Sequence, residues 1–238
     1  VNVTGTPTLA LSNNATASYT SGTGSTALVF RYSVASGNTD SSDLSVSSYS
    51  GTIQDTAGNT AGAVSGDLGA VVVDANSPGF NSVAAADATY KIGDDIDITV
   101  TWGETVNVTG TPTLALSNNA TASYNSGTGS TALVFRYTVV SGDTDSSDLS
   151  VSSYSGTIQD TAGNAADAAS GDLGAVIVDA NAPTLSSVAA TDGTYKVGDN
   201  LDITVTWSET VNVTGTPTLA LSNGATASYN SGTGSSAL

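Results

Sequence analysis

The sequence predicts an all-β protein built from tandem antiparallel β-sandwich repeats of 105 residues, and three observations carry that prediction. The string VNVTGTPTLALSN begins at Val1, again at Val106 and again at Val211; self-similarity at a fixed long period marks an array of folded units. Within one period, apolar and polar residues alternate with the two-residue spacing of half-buried strands. No segment keeps helical spacing with caps over three turns.

The elements follow in chain order through residues 76–180. A segment around Val83 and the segment TYKI (89–92) read as short strands, the second an edge strand guarded by the charge of Lys91. Ile96, Ile98, Val100 and Trp102 alternate with Asp97, Thr99 and Thr101, which gives a strand with one apolar face. Thr113 to Ser117 places Leu114 and Leu116 on one face, with a loop expected between this strand and the previous one. Thr121 to Tyr124 and Ala132 to Val139 are two further strands, joined by the turn-forming NSGTGS near Ser126. Leu149 to Tyr154 and Ala175 to Val178 complete the set. Strands this short and this evenly spaced predict a sandwich of immunoglobulin-like topology, with Trp102 and Tyr137 as core aromatics.

Domain boundaries come from the turn-like stretches Asp74-Ala-Asn-Ser-Pro78 and Asp179-Ala-Asn-Ala-Pro183, since proline fixes the backbone and disfavours helix before it. The expected division is 1–75, the C-terminal part of one repeat; 76–180, a complete repeat; and 181–238, the N-terminal part of a third. Residues 1–75 differ from 106–180 at 8 positions, and 76–133 from 181–238 at 12, so a statement about one copy transfers to the next. The chain is read as a window on a longer array.

Composition removes most chemistries. There is no His and no Cys, which excludes Ser-His-Asp and Cys-His nucleophiles, thiolate or imidazole zinc sites and disulfides. Lys+Arg number 4 against 21 Asp+Glu, a net charge of -17 that argues against binding nucleic acid. No apolar run is long enough to insert in a membrane. No enzyme activity is expected: a glycosidase needs paired carboxylates in a cleft, an improbable thing to repeat in near-identical copies with few aromatics.

The linker DANAP, the strand DITVTWSETV (202–211), the segment TGTPTLAL, the stretch FRYTVVSGDTD (135–145) and the loop QDTAGNAA (159–166) occur in fixed order within the period. Together they resemble the bacterial immunoglobulin-like tandem repeats of giant RTX-type and biofilm-associated surface adhesins. The resemblance covers each unit from end to end. It implies an extracellular, cell-surface extender stiffened by calcium that holds an adhesive domain away from the cell. The nonapeptide calcium repeats and any recognisable ligand-binding domain of such adhesins are missing.

The acidic residues supply candidate ligands. In an immunoglobulin-like sandwich the loops after the second and sixth strands lie beside the incoming linker, which brings together Glu104, Asp160, Asp74 and Asn76. At the opposite end, Asp94, Asp143 and Asp145 are expected to face Asp179, Asn181 and Glu209 of the next junction. Calcium takes six to eight oxygen ligands, and clustered carboxylates repel without a counter-ion, so Ca2+ is the expected cofactor at each junction. The bland alternative is that these acids are surface charge for solubility. In the first copy Asn38 stands where the second has Asp143, so that its loop binds more weakly or uses the amide oxygen. The expected partners are neighbouring repeats of the same array. A self-assembling extracellular filament or sheath is the alternative, with other copies of the chain as partners.

Overall fold

The computed structural model describes residues 1–238 and contains strands, turns and no helix. Residues 1–75 form β1 (Asn2–Leu11), β2 (Thr16–Ser21), β3 (Val29–Arg31), β4 (Ser45–Gln54) and β5 (Gly66–Asp67), in one sheet of order β3-β2-β1-β4-β5. Residues 76–180 form β6 (Phe80–Ala84), β7 (Ala88–Lys91), β8 (Asp95–Leu116), β9 (Thr121–Ser126), β10 (Ser130–Thr138), β11 (Ser150–Gln159), β12 (Gly171–Asp172) and β13 (Val176–Asp179). The remainder forms β14 (Leu185–Ala190), β15 (Ile203–Val211), β16 (Thr218–Ala220), β17 (Thr226–Ser228) and β18 (Ser235–Ala237). Pairing is antiparallel throughout except for the parallel pair β7 and β13. This is the all-β, multi-sheet arrangement of a β-sandwich.

The sequence predicts two strands parted by a loop across 96–117, whereas the structure has the single strand β8, 22 residues long. Its first half pairs with β6 and β10, and its second half, from Asn107, pairs with β11 on one side and β9 on the other. The two halves meet at a bulge: β8 advances from Thr101 to Val106 while β10 moves only from Ala132 to Ser130. Extra residues on one strand bend it and sharpen its twist, so one run of chain changes partners within a single six-stranded sheet. Side-chain alternation survives the bend. Trp102 and Val106 are both buried, with Glu104 between them at an inward-facing position.

Twenty-one buried residues pack into one core, all between Ile96 and Ala180. Ile96, Ile98, Val100 and Trp102 from β8 meet Leu133, Phe135 and Tyr137 from β10 and Val176 and Val178 from β13. The expected core aromatics are in place: Trp102 stacks edge-on to Tyr154 at 6.2 Å, and its Nε1 donates to the Asp167 carbonyl at 3.4 Å. A close approach of backbones is fixed at Gly156, φ +105°, where a Cβ would lie 2.7 Å from Pro112 Cα; only glycine fits there without strain. The same pair recurs as Gly51 and Pro7.

The flanking copies are packed differently. A cluster of six buried residues, Leu11, Ala17, Leu44, Val46, Val73 and Ala75, belongs to residues 1–75, and residues 181–238 bury only Val205. Leu133 is fully buried, while Leu28, 105 positions earlier, is half-buried. Leu133→Ala should therefore destabilise the protein by about 2–5 kcal/mol, the range for a buried leucine cut to alanine. Urea denaturation of the variant measures it; a loss below about 1 kcal/mol would mean that Leu133 is not packed in the core.

Candidate metal centre

Three carboxylates from separate parts of the chain converge at the junction between the first two copies. Asp74 lies between the buried Val73 and Ala75 at the end of the first copy, Glu104 sits in the β8 bulge, and Asp160 begins the loop after β11. One oxygen from each lies within 4.8 Å of the others. Oxygens bound to one hard cation at about 2.3–2.6 Å are at most roughly 5 Å apart, so the group has the dimensions of an ion's coordination shell. Asp160 is buried, at 5% exposure, and Asp74 and Glu104 are half-buried. No Lys or Arg comes within 4.0 Å of any of them. These three residues could hold a metal ion.

Loop chemistry holds Asp160 in place. Its Oδ1 accepts the Gly163 N–H at 2.6 Å and the Asn164 N–H at 2.8 Å, and its Oδ2 accepts Asn164 Nδ2 at 2.8 Å. Asn164 Nδ2 also reaches the Asp74 carbonyl at 3.2 Å and Asp74 Oδ1 at 3.3 Å, so one amide bridges two of the acids. Burial pushes the Asp160 carboxyl up, but the Asn164 side chain and the backbone donors outweigh it and hold the pKa below the usual carboxylate value. Glu104 behaves oppositely. Burial first, then the charges of Asp74, Asp160 and Asp40, raise it above its ordinary 4.5.

The other sequence-derived candidates do not join this group. Asn76 donates its Nδ2 to Asp40 Oδ2 at 2.7 Å, and Asp40 Oδ1 accepts the Ala75 N–H at 2.8 Å. The same latch recurs one period on, where Asp145 accepts the Ala180 N–H at 2.8 Å and Asn181 Nδ2 at 2.7 Å. Asp94 is engaged by the Lys91 N–H at 3.0 Å and Nζ at 3.2 Å. Asp143 Oδ2 accepts the Tyr137 hydroxyl at 2.7 Å and the Val140 N–H at 2.9 Å; burial and this bond push the Tyr137 hydroxyl up to about 12. Asn38 does the same work in the first copy, accepting the Tyr32 hydroxyl at 2.9 Å and the Ala35 N–H at 2.8 Å through its amide oxygen. Position 143 thus closes a loop, which explains why Asp and Asn both serve. Asp179 accepts the Asn181 N–H at 3.3 Å. Glu209 repeats the position of Glu104 on β15, but the group of three acids close enough for one ion is Asp74, Glu104 and Asp160 and does not include it.

Sequence reasoning missed Asn164 and Asp40. The signal for Asn164 is the spacing Asp160-x-x-x-Asn164, repeated as Asp55 and Asn59, in which an aspartate caps the backbone of its own loop. Asp40 carries no such local mark, because its partners Ala75 and Asn76 are more than thirty residues away. No family model matches the chain, and no curated protein or solved structure is similar to it.

The raised Glu104 pKa has a consequence for stability. A group that is less acidic folded than unfolded adds stability below its unfolded pKa and loses it as pH rises through the folded one. In chelator, ionised Glu104 is therefore a net cost at neutral pH. Glu104→Gln, which keeps the size and removes the charge, should melt above the parent there, and the gap should close as pH falls towards about 4. Thermal melts over that pH range check it, and a variant that melts lower at neutral pH in chelator would mean that repulsion is not what governs the site.

Proposed function

We propose that the chain is a non-enzymatic structural segment: tandem immunoglobulin-like repeats serving as an extender of a secreted, cell-surface adhesin, stiffened by calcium at the junction between repeats. The observation that carries this reading is the origin of the three carboxylates. Asp74 belongs to the linker, Glu104 to a strand and Asp160 to a loop, so an ion held by all three ties the linker to the repeat that follows. Without the ion, the same three charges push the linker away.

The ion is assigned by the donor set. Every donor is oxygen, and the chain has no His or Cys for softer metals. Calcium accepts irregular shells of six to eight oxygens, whereas magnesium demands near-ideal octahedra. The Asp74 carbonyl, reached by Asn164 Nδ2 at 3.2 Å, adds a neutral oxygen beside the acids. What supports the immunoglobulin-like reading is a set of antiparallel strands folded around one shared core, with β8 pairing β6, β9, β10 and β11.

Stiffness follows from geometry as well as charge. The Ser77 hydroxyl donates to Asp167 Oδ1 at 2.7 Å, and the Asp167 N–H donates to the Pro78 carbonyl at 2.9 Å. The linker is thereby fastened to the second repeat on one side, and by Asp40 to the first repeat on the other. A cation at Asp74, Glu104 and Asp160 would lock the segment between these two anchors.

Calcium that binds only the folded state at 100 times its Kd should add about 2.7 kcal/mol of stability. We expect the melting temperature to rise with calcium, and small-angle scattering to show a stiffer junction in calcium than in chelator. Glu104→Gln should abolish most of the calcium-dependent rise while leaving the core intact. Melting and scattering profiles that coincide in calcium and in chelator would refute the calcium reading.

A further inference from the structure

The pattern Asn-X-Thr, an amide followed two residues on by a hydroxyl, is the acceptor signature for N-linked sugars. It occurs twice within the central repeat, as Asn107-Val108-Thr109 and Asn119-Ala120-Thr121. The fold gives the two matches opposite surroundings. Asn107 lies inside β8 opposite Gln159 of β11, and Val108 and Thr109 continue the ladder opposite Ile158 and Thr157. The other edge of this stretch is covered as well: the Val106 carbonyl accepts the Gly129 N–H at 2.8 Å, and the Val108 N–H donates to the Thr128 hydroxyl at 2.9 Å. The backbone of the first match is therefore held extended from both sides.

Asn119 stands at the tip of the turn from β8 to β9. Its N–H donates to the Leu116 carbonyl at 3.1 Å, and the Leu116 N–H donates to the Ala120 carbonyl at 3.0 Å, which closes the turn. Next to it the buried Asn118 accepts the Ala120 N–H at 3.2 Å and donates its amide to the Tyr137 hydroxyl at 3.3 Å and the Thr144 carbonyl at 3.2 Å. The anchored turn holds Asn119 at φ +66°, exposed, with its side-chain amide free of any hydrogen bond, and Thr121 is exposed beside it. The first copy repeats the arrangement: Asn14 is exposed at φ +64° next to the buried Asn13 and is followed by the exposed Thr16. A left-handed backbone does not by itself call for asparagine, since glycine adopts it at no steric cost, and the third copy has Gly224 in that place at φ +83°. What Asn14 and Asn119 add over glycine is an amide, and the chain makes no use of it.

We infer that Asn14 and Asn119 are acceptor sites for an N-linked sugar, presented by their turns, and that Asn107 is not one despite carrying the same pattern. The co-substrate is a hexose activated as its nucleoside diphosphate ester. Asn119 Nδ2 attacks C1 of the sugar, the N–C1 bond forms as the C1–O bond breaks, the nucleoside diphosphate leaves with the electron pair, and one amide proton passes to a base of the transferase. An enzyme must reach the amide from several directions at once and bend the chain around it. A turn tip permits this and a strand covered at both edges does not, so Asn107 reacts only when β8 opens, at a cost close to that of unfolding the repeat. Neither turn asparagine belongs to the group of Asp74, Glu104 and Asp160, so the inference stands independently of the calcium reading.

The test takes the whole 238-residue chain, a soluble transferase that modifies Asn-X-Ser/Thr patterns and UDP-glucose, and locates the sugar by peptide mass mapping. One hexose should appear on Asn119 and one on Asn14, and Asn107 should react at least about a hundredfold more slowly, because it waits on the opening of a core strand. Short unstructured peptides spanning Glu104–Thr111 and Ser117–Ser123 should react at comparable rates, which assigns the difference to the fold. Thr121→Val should remove the hexose from Asn119 and leave the one on Asn14. Asn119→Gly, which copies the third repeat, should do the same with an unchanged melting temperature. No hexose on either turn asparagine, equal rates at Asn107 and Asn119 in the whole chain, peptides that differ as much as the chain does, or a Thr121→Val chain still modified at Asn119 overturns the proposal.

Discussion

The central repeat is organised around β8, which pairs with β6 and β10 along its first half and with β9 and β11 along its second. Its first half gives Ile96, Ile98, Val100 and Trp102 to the core, and its second half gives Leu114 and Leu116. The bulge between Thr101 and Val106 is where the strand bends and exchanges partners. A strand that bends while keeping its alternation must point something inward at the bend, and here that residue is Glu104. The core and the candidate metal centre are therefore set by one feature of backbone geometry: the turn of the strand that closes the sandwich also carries a carboxylate to its end.

That placement has an electrostatic cost which the surrounding structure only partly offsets. Asp160 is compensated by four donors, and its acidity is strengthened. Glu104 has desolvation and three like charges against it. Two carboxylates within a few ångströms of a third, without a basic residue nearby, form a centre poised for a cation. Elsewhere in the chain acids are spent differently: Asp40 and Asp145 fasten linkers through backbone and amide donors, and Asp97 pairs with Arg136. Excess negative charge is thus divided between latches, which need only hydrogen bonds, and the one group that hydrogen bonds leave unbalanced.

Near-identical copies in unlike surroundings show what packing adds to sequence. Phe135 and Leu133 are fully buried in the central core, where β8 lies opposite them, while Phe30 and Leu28 are half-buried with no strand in that place. Local hydrogen bonding is the same in both: Asn13 and Asn118 bond the same tyrosine hydroxyl and loop carbonyl, and Tyr49 and Tyr154 reach equivalent alanine carbonyls at 2.7 Å. Turns and caps depend on residues a few positions apart and so repeat wherever the sequence does. Core burial depends on which strand lies opposite, and it does not repeat.

What the sequence determined by itself was the part of this protein that local chemistry controls: the alternation of Ile96 to Trp102 made a half-buried strand, glycine and asparagine clusters made turns, and Trp102 and Tyr137 were bound for the core. Its acids could be gathered into ends by topology, which brought Asp74, Glu104 and Asp160 into one candidate group. The tertiary structure alone decided that 96–117 is one bent strand, because a bulge is a relation between two strands and leaves no mark in either one. It also decided which acids meet. Asp143 accepts the Tyr137 hydroxyl, and Asp145 accepts the Ala180 N–H and the Asn181 amide of the linker, while Asp160 accepts the Asn164 amide and lies with Asp74 and Glu104. Which donors and which other acids surround a carboxylate is decided by residues that only folding brings near.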